Sequence, residues 1–164
     1  MRALLEPLVE QGVDFVVIGG MAGIALGSNY PSFDLDVLYD RSRANVRRLV
    51  SALKLLHVQL RGAPPDLPFQ LDERAIENGA NFTFVTPHGD LDVLADAAGV
   101  NGYASVAARA VEREIAGFPV RVASIDDLIA MKRAANRPKD RNMLEEYIVL
   151  AEERRLAAEG EGSG

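Results

Sequence analysis

One heptapeptide occurs twice in near-copy: Asp34-Leu35-Asp36-Val37-Leu38-Tyr39-Asp40 and Asp90-Leu91-Asp92-Val93-Leu94-Ala95-Asp96. Each copy alternates acids with aliphatic residues. Successive side chains of a strand point to opposite faces, so a strand puts Asp34 and Asp36 on one face and Leu35 and Val37 on the other. Asp90 and Asp92 share a face in the same way, with Leu91 and Val93 turned to a core. Carboxylates two apart on a strand have Cα atoms roughly 6.5 Å apart, near enough for both to converge on one hard cation. If the two strands are neighbours, three or four acids meet and repel one another unless divalent ions neutralise them. An ordinary edge strand with one solvated face has the same alternation, so the heptapeptides alone leave both readings open.

The residues upstream narrow the choice. Val13 to Ile18 (VDFVVI) is a short apolar strand, Gly19-Gly20 a turn, and Met21 to Leu26 a short helix; Asp34 follows Gly20 by 14 positions. This order resembles the nucleotidyltransferase superfamily of DNA polymerase β-like fold, whose signature is a strand, a Gly-Gly or Gly-Ser turn opening a helix, a strand with D-x-D and a third acid on a later strand. The matching residues are Gly19, Gly20, Asp34 and Asp36, with Asp92 as the third acid and Asp90 as its alternative. Ser124-Ile125-Asp126-Asp127-Leu128-Ile129-Ala130-Met131-Lys132, followed by Arg137-Pro138-Lys139-Asp140, is similar to the C-terminal helices of bacterial members, including toxin-type nucleotidyltransferases. The likeness spans residues 13–150 in separate blocks. Three positions depart from it: Tyr30 and Ser32 stand where many relatives have Arg and Thr, and Met143 where relatives often have a second Asp.

The resemblance implies transfer of a nucleoside monophosphate from a nucleoside triphosphate (NTP) to an acceptor hydroxyl, with two Mg²⁺ ions held by Asp34, Asp36 and Asp92. Two metal ions roughly 3.5–4 Å apart can bridge the attacking oxygen, the α-phosphate and the leaving group. The third acid next to the attacking oxygen can take its proton. Gly19 and Gly20 allow close approach of the backbone to a triphosphate, whose charge suits the start of the following helix. Otherwise they only make a tight strand-to-helix turn. Ser32, Lys132, Arg137, Lys139 and Asp140 complete the expected nucleotide-binding set. Away from the resemblance, Lys132 reads as an amphipathic helix side chain and Asp140 as a helix-start acid that favours the dipole or orients Lys132 or Arg137.

Charge and composition bound the alternatives. The 164 residues suit one domain over 1–157, with a catalytic core at 13–123, C-terminal helices at 124–157 and a glycine-rich disordered tail at 158–164. Cysteine is absent, which excludes a disulfide framework, a thiolate zinc site and a cysteine nucleophile and makes a cytoplasmic location the expectation. No apolar run approaches the ~20 residues of a membrane span, and the first residues read as an amphipathic helix rather than a signal peptide. His57 and His88 are too isolated for a triad or a zinc site. A dinucleotide fingerprint fails because Met21 and Ile24 stand where it needs glycine.

Net charge is −6, against a general nucleic-acid binder, yet the basic residues cluster. Arg41, Arg43, Arg47, Arg48, Lys54 and Arg61 form one acid-free stretch; Lys132, Arg133, Arg137, Lys139 and Arg141 form a second, with Asp140 alone among them. Such segments around an acidic site suit a triphosphate and a phosphate-rich acceptor. The first also reads as the solvated face of a helix whose apolar side is Val46, Leu49, Val50 and Leu53.

Periodicity predicts an α/β (α+β) protein with a short mixed sheet: helices at 2–12, 20–27, 42–56, 124–135 and 138–157, and strands at 13–18, 34–39, 81–86, 90–95 and 118–123. Thr86-Pro87-His88-Gly89 closes a hairpin, Ser124 and Asp127 form a capping box, and 61–72 is a proline-bearing loop and candidate acceptor-side lip. Tyr103 to Ala110 reads as helix, Val111 to Ile115 as an edge strand. The functional expectation is an RNA (tRNA) acceptor in a toxin–antitoxin setting, with a cognate antitoxin as partner. The alternatives are an adenylyltransferase, using ATP, that acts on a protein or an antibiotic, and a catalytically silent nucleotide-binding or antitoxin module.

Overall fold

The structure is a computed structural model and describes residues 1–64, 66–79 and 81–162. Its centre is a seven-stranded mixed sheet in the order β3-β4-β5-β2-β1-β7-β6, from β1 (Phe15–Ile18), β2 (Leu35–Tyr39), β3 (Gln59–Leu60), β4 (Asn81–Thr86), β5 (Gly89–Leu94), β6 (Val111–Ile115) and β7 (Phe118–Val122). Helices α1 (Arg2–Glu10), α2 (Gly19–Ala25), α3 (Arg43–Leu55), α4 (Glu73–Asn78), α5 (Gly102–Arg109), α6 (Ile125–Ala135) and α7 (Arg141–Glu161) flank it. The mixed α/β class follows from these elements as the sequence predicts. Among the described residues, no helix is long and apolar enough to cross a membrane.

The two heptapeptides are neighbours. β2 and β5 run parallel with Leu35 opposite Leu91, Asp36 opposite Asp92 and Val37 opposite Val93. Leu35, Val37, Leu91 and Val93 are fully buried and share one core with Leu4, Leu5 and Leu8 of α1 and Val46, Leu49, Val50 and Leu53 of α3. The apolar side predicted for 42–56 is therefore the buried side of α3, which Ser42 caps by accepting from the Asn45 amide. β6 lies at the sheet edge, and β4 and β5 pair antiparallel across Thr86 and Gly89, both as expected.

Three features depart from the expectation. β3 and α4 are two and six residues long, too short for a hydrophobic period; Asp72 caps α4 by accepting from the Ala75 amide, and only Ile76 of that helix is buried. Asp127 does not complete a reciprocal capping box, because its carboxylate takes Arg109 at 2.6 and 3.2 Å, while Ser124 accepts from the Asp127 amide. α7 continues to Glu161 through much of the expected tail, since 152–159 (EERRLAAE) are good helix formers tied by Arg155 to Glu152 and Glu159. Residues 163 and 164 of that tail lie outside the described residues.

Asn45 pins the strand ends from beneath. It is fully buried; its Oδ1 accepts from the Asp14 amide at 2.7 Å, and its Nδ2 donates to the carbonyls of Asp14 at 3.0 Å and Asp40 at 2.7 Å. One side chain thus holds the entry to β1 and the exit of β2 to α3. Asn45→Ala leaves the Asp14 amide and the Asp40 carbonyl without this partner, while the Asp14 carbonyl keeps the Asp40 amide, and is expected to lower stability by about 1–3 kcal/mol in urea denaturation. A loss below about 0.5 kcal/mol contradicts this role.

Candidate active site

The register that buries the leucines brings the acids together. Asp36 lies opposite Asp92 on one side and opposite Ile18 of β1 on the other. Gly19, which follows β1 and opens α2, has φ +68° and packs so closely on Asp36 Oδ2 that no Cβ fits. Glycine is needed there both for its conformation and for its size. At Gly20 a Cβ would lie 2.7 Å from Ser32 Oγ, so the second glycine lets the segment before Asp34 approach the turn.

Asp34, Asp36, Asp92, Ile18 and Gly19 line a cleft of about 440 Å³. Its other wall belongs to α6 and the following turn, with Leu128, Met131, Lys132, Ala135, Arg137 and Lys139; Asn81, Leu94 and Asp96 close one end. Of the residues expected to bind nucleotide, Gly19, Lys132, Arg137 and Lys139 line this cleft, while Gly20, Ser32 and Asp140 stand behind it as supports. Asp140 is buried; its Oδ1 takes Lys132 Nζ at 3.1 Å and its Oδ2 takes Arg137 Nε at 2.6 Å. Burial alone would raise the Asp140 carboxyl, but the hydrogen bonds and charges of Arg137 and Lys132 outweigh it and hold it below its ordinary value. It therefore orients both cations.

Asp36 behaves in the opposite way. Burial, then the charge and hydrogen bond of Asp92, then the charge of Asp34 push its carboxyl up to about 7, with Lys132 pulling weakly the other way. Oxygen donors in a mutually repelling set are the chemistry that suits a hard divalent cation. Among the described residues no three metal-binding side chains close around a single point. Mg²⁺ does not need such a cage: it keeps waters and takes phosphate oxygens beside one or two carboxylates.

Sequence reasoning missed the part played by Arg61 because it counted that residue only as one of a basic stretch. Its Nη2 lies 2.8 Å from Asp92 Oδ1 and its Nε 3.2 Å from Asp90 Oδ2. The rest of the stretch is largely committed: Arg41 donates to the Glu77 carbonyl, Arg47 pairs with Glu73 and Arg48 with Asp14. Of the two D-x-D acids on β5, Asp92 lines the cleft and Asp90 does not. His57 and His88 are exposed and far from any such role.

α7 holds the segment that leads to the first acid. Glu146 accepts from Ser28 Oγ at 2.7 Å and from the Asn29 amide at 2.8 Å, Arg154 donates to the Leu26 carbonyl at 2.7 Å, and the buried Tyr147 ring leaves no room for a side chain at Gly23.

No family model matches the sequence, and no curated protein matches it. Solved structures do. The antibiotic-resistance factor ANT(2'')-Ia in solution is 17% identical with a TM-score of 0.56, over 99% of this chain and 94% of that one. Its crystal structure in complex with adenylyl-2''-tobramycin is 18% identical with a TM-score of 0.57, over 96% and 95%. A Thermotoga maritima protein described as a candidate nucleotidyltransferase is 13% identical with a TM-score of 0.55, over 90% and 89%. The chain thus has the fold that the resemblance implies.

The Asp36 shift has a sign that stability measurements can read. Its folded pKa of about 7 exceeds the ordinary 3.8, so between these values the folded state holds a proton that the unfolded chain releases, and stability falls as pH rises through that window. Asp36→Asn removes the penalty. In chelator-treated protein the variant is expected to exceed wild type by on the order of 2–4 kcal/mol at pH 8 and to match it near pH 4. A difference independent of pH contradicts the assignment.

Proposed function

We propose that the chain is a metal-dependent nucleotidyltransferase that moves a nucleoside monophosphate from an NTP to an acceptor hydroxyl. The observation that carries this reading is the in-register pair Asp36 and Asp92, beside the Gly19 turn and across one cleft from Lys132, Arg137 and Lys139. Asp34, Asp36 and Asp92 would hold Mg²⁺, which when bound supplies Lewis-acid neutralisation of the triphosphate. The acceptor oxygen forms its bond to the α-phosphorus, the bond to the bridging oxygen breaks, and pyrophosphate leaves. Asp92 receives the acceptor proton, directly or through water. Lys132 and Arg137, aimed by Asp140, and Lys139 neutralise the departing pyrophosphate. Gly19 brings main chain to the phosphates without a side chain in the way.

The acceptor reading shifts away from RNA. Arg41, Arg47, Arg48 and Arg61 are engaged with protein oxygens, so the basic stretch that favoured a phosphate track is mostly spent. The end of the cleft instead presents the exposed carboxylate of Asp96 and the amide of Asn81, whose Oδ1 is committed to the Ala95 and Asp96 amides and whose Nδ2 is thereby turned to be the free end. These groups and the net charge of −6 suit a compact polyol that carries amino groups. The crystal structure with adenylyl-2''-tobramycin supports an acceptor of that class by likeness of fold.

Incubation with each α-labelled NTP, Mg²⁺ and either an amino-sugar panel or total tRNA tests this reading. Label is expected on an amino sugar; Asp36→Ala abolishes it, and Asp92→Asn costs about 10²-fold or more while Asp90→Asn costs less than about tenfold. Undiminished transfer by Asp36→Ala removes the metal-site reading. Transfer to tRNA alone, steeply weakened by salt and by charge reversal at Arg137 and Lys139, restores the RNA acceptor.

A further inference from the structure

We propose that Arg61 is the positioning residue of the acid cluster: it fixes the third acid, leaving one of its oxygens for Asp36 and the metal, and it limits how tightly the site binds divalent ions. The proposal rests on the nucleotidyltransferase reading for its catalytic half.

Sheet register explains why this residue reaches the site. Leu60 pairs with Phe84, and the Arg61 amide donates to the Thr83 carbonyl at 2.9 Å, so Arg61 stands level with Thr83. Thr83 pairs with Asp92, and Asp92 with Asp36. Residues directly opposite across a sheet share a face, so Arg61, Thr83, Asp92 and Asp36 form one row across β3, β4, β5 and β2. Two strand spacings, roughly 9.6 Å, separate the Arg61 and Asp92 backbones. A long side chain crosses that span because the residue between is a small, exposed threonine.

The guanidinium is held by two hydrogen bonds from Nη2 and by an ion pair at Nε, which makes no hydrogen bond. Nη2 donates to the Phe84 carbonyl at 3.1 Å and to Asp92 Oδ1 at 2.8 Å, and Nε faces Asp90 Oδ2 at 3.2 Å. With Oδ1 taken from the β4 side, Asp92 Oδ2 is the oxygen left to face Asp36 and an ion. Lys132, the other cation near the cluster, is tied to Asp140. Arg61 therefore supplies the fixed positive charge that balances Asp90 and Asp92, and an incoming divalent ion meets that charge as repulsion. Lysine keeps the charge but has no planar fork, so it can engage one acid but not hold both acids and the carbonyl at once.

The test compares wild type, Arg61→Met and Arg61→Lys, each confirmed folded by circular dichroism and thermal melting. Mn²⁺ is titrated into nucleotide-free protein by electron paramagnetic resonance, and steady-state transfer is measured separately. Arg61→Met is expected to bind Mn²⁺ about 3–10-fold more tightly yet turn over about 10–100-fold more slowly, with KM for NTP within about threefold. Arg61→Lys is expected to restore wild-type Mn²⁺ affinity and only part of kcat. Tighter metal with slower turnover is a combination that a merely structural arginine does not produce. Mn²⁺ affinity unchanged or weakened in folded Arg61→Met overturns the proposal, as does unchanged kcat. If Arg61→Met does not fold, Arg61→Lys decides: kcat equal to wild type overturns it. If wild type transfers no NMP, the function reading fails, while the Mn²⁺ titration still decides whether Arg61 sets the metal affinity.

Discussion

Everything at this site depends on the parallel pairing of β2 with β5, which sets Asp36 directly opposite Asp92. A slip of either strand by one residue would turn its acid into the core and expose its two aliphatic residues, Leu35 and Val37 of β2 or Leu91 and Val93 of β5. The cost of that slip is the burial of two aliphatic side chains, on the order of 1.5–3 kcal/mol each, so the hydrophobic core holds the acids in place against their mutual repulsion. The same alternation that makes a stable strand makes the charged face, and neither can be had without the other.

The surroundings manage the repulsion unevenly. Arg61 balances the pair on β5, while Asp36, buried against Gly19 and facing two other carboxylates, has no such partner and its carboxyl is pushed up to about 7. On the far wall the pattern is reversed: buried Asp140 is outnumbered by Lys132 and Arg137, which leaves net positive charge facing the acids. One wall thus carries negative charge and the other positive, across a cleft of about 440 Å³. A metal-bound triphosphate has both charges in the right order. The anchoring of Ser28 and Asn29 by Glu146 makes α7 part of the same construction, since it fixes the segment that delivers Asp34.

The sequence made these parts legible to different degrees. Long periodic elements such as α3 and the heptapeptide strands could be read directly, but the alternation put Asp90 and Asp92 on one face without choosing between them, and only the sheet register sets Asp92 opposite Asp36. β3 and α4 could not, because two and six residues contain no period, and the C-terminal extension of α7 was hidden by glycines that a helix tolerates at its end. Arg61 was invisible for a topological reason. Its importance arises from a row that crosses four strands, and only the order β3-β4-β5-β2 brings residues 61, 83, 92 and 36 level. Charge counting misled for a related reason: the arginines between 41 and 61 looked like a surface for phosphate, but most face acids or carbonyls from distant segments such as Asp14, Glu73 and Glu77.

The central claim is that Asp34, Asp36 and Asp92 form a divalent-cation platform for a triphosphate. Its most direct test is a crystal structure with Mn²⁺ and an NTP analogue that cannot be cleaved at the α-phosphate, with anomalous scattering used to place the ion. The account predicts an anomalous peak about 2.0–2.3 Å from oxygens of Asp36 and at least one of Asp34 and Asp92, bridged to the phosphates, with Lys132 and Arg137 on the β- and γ-phosphates. A nucleotide bound elsewhere, or an ion that contacts none of the three carboxylates, contradicts it.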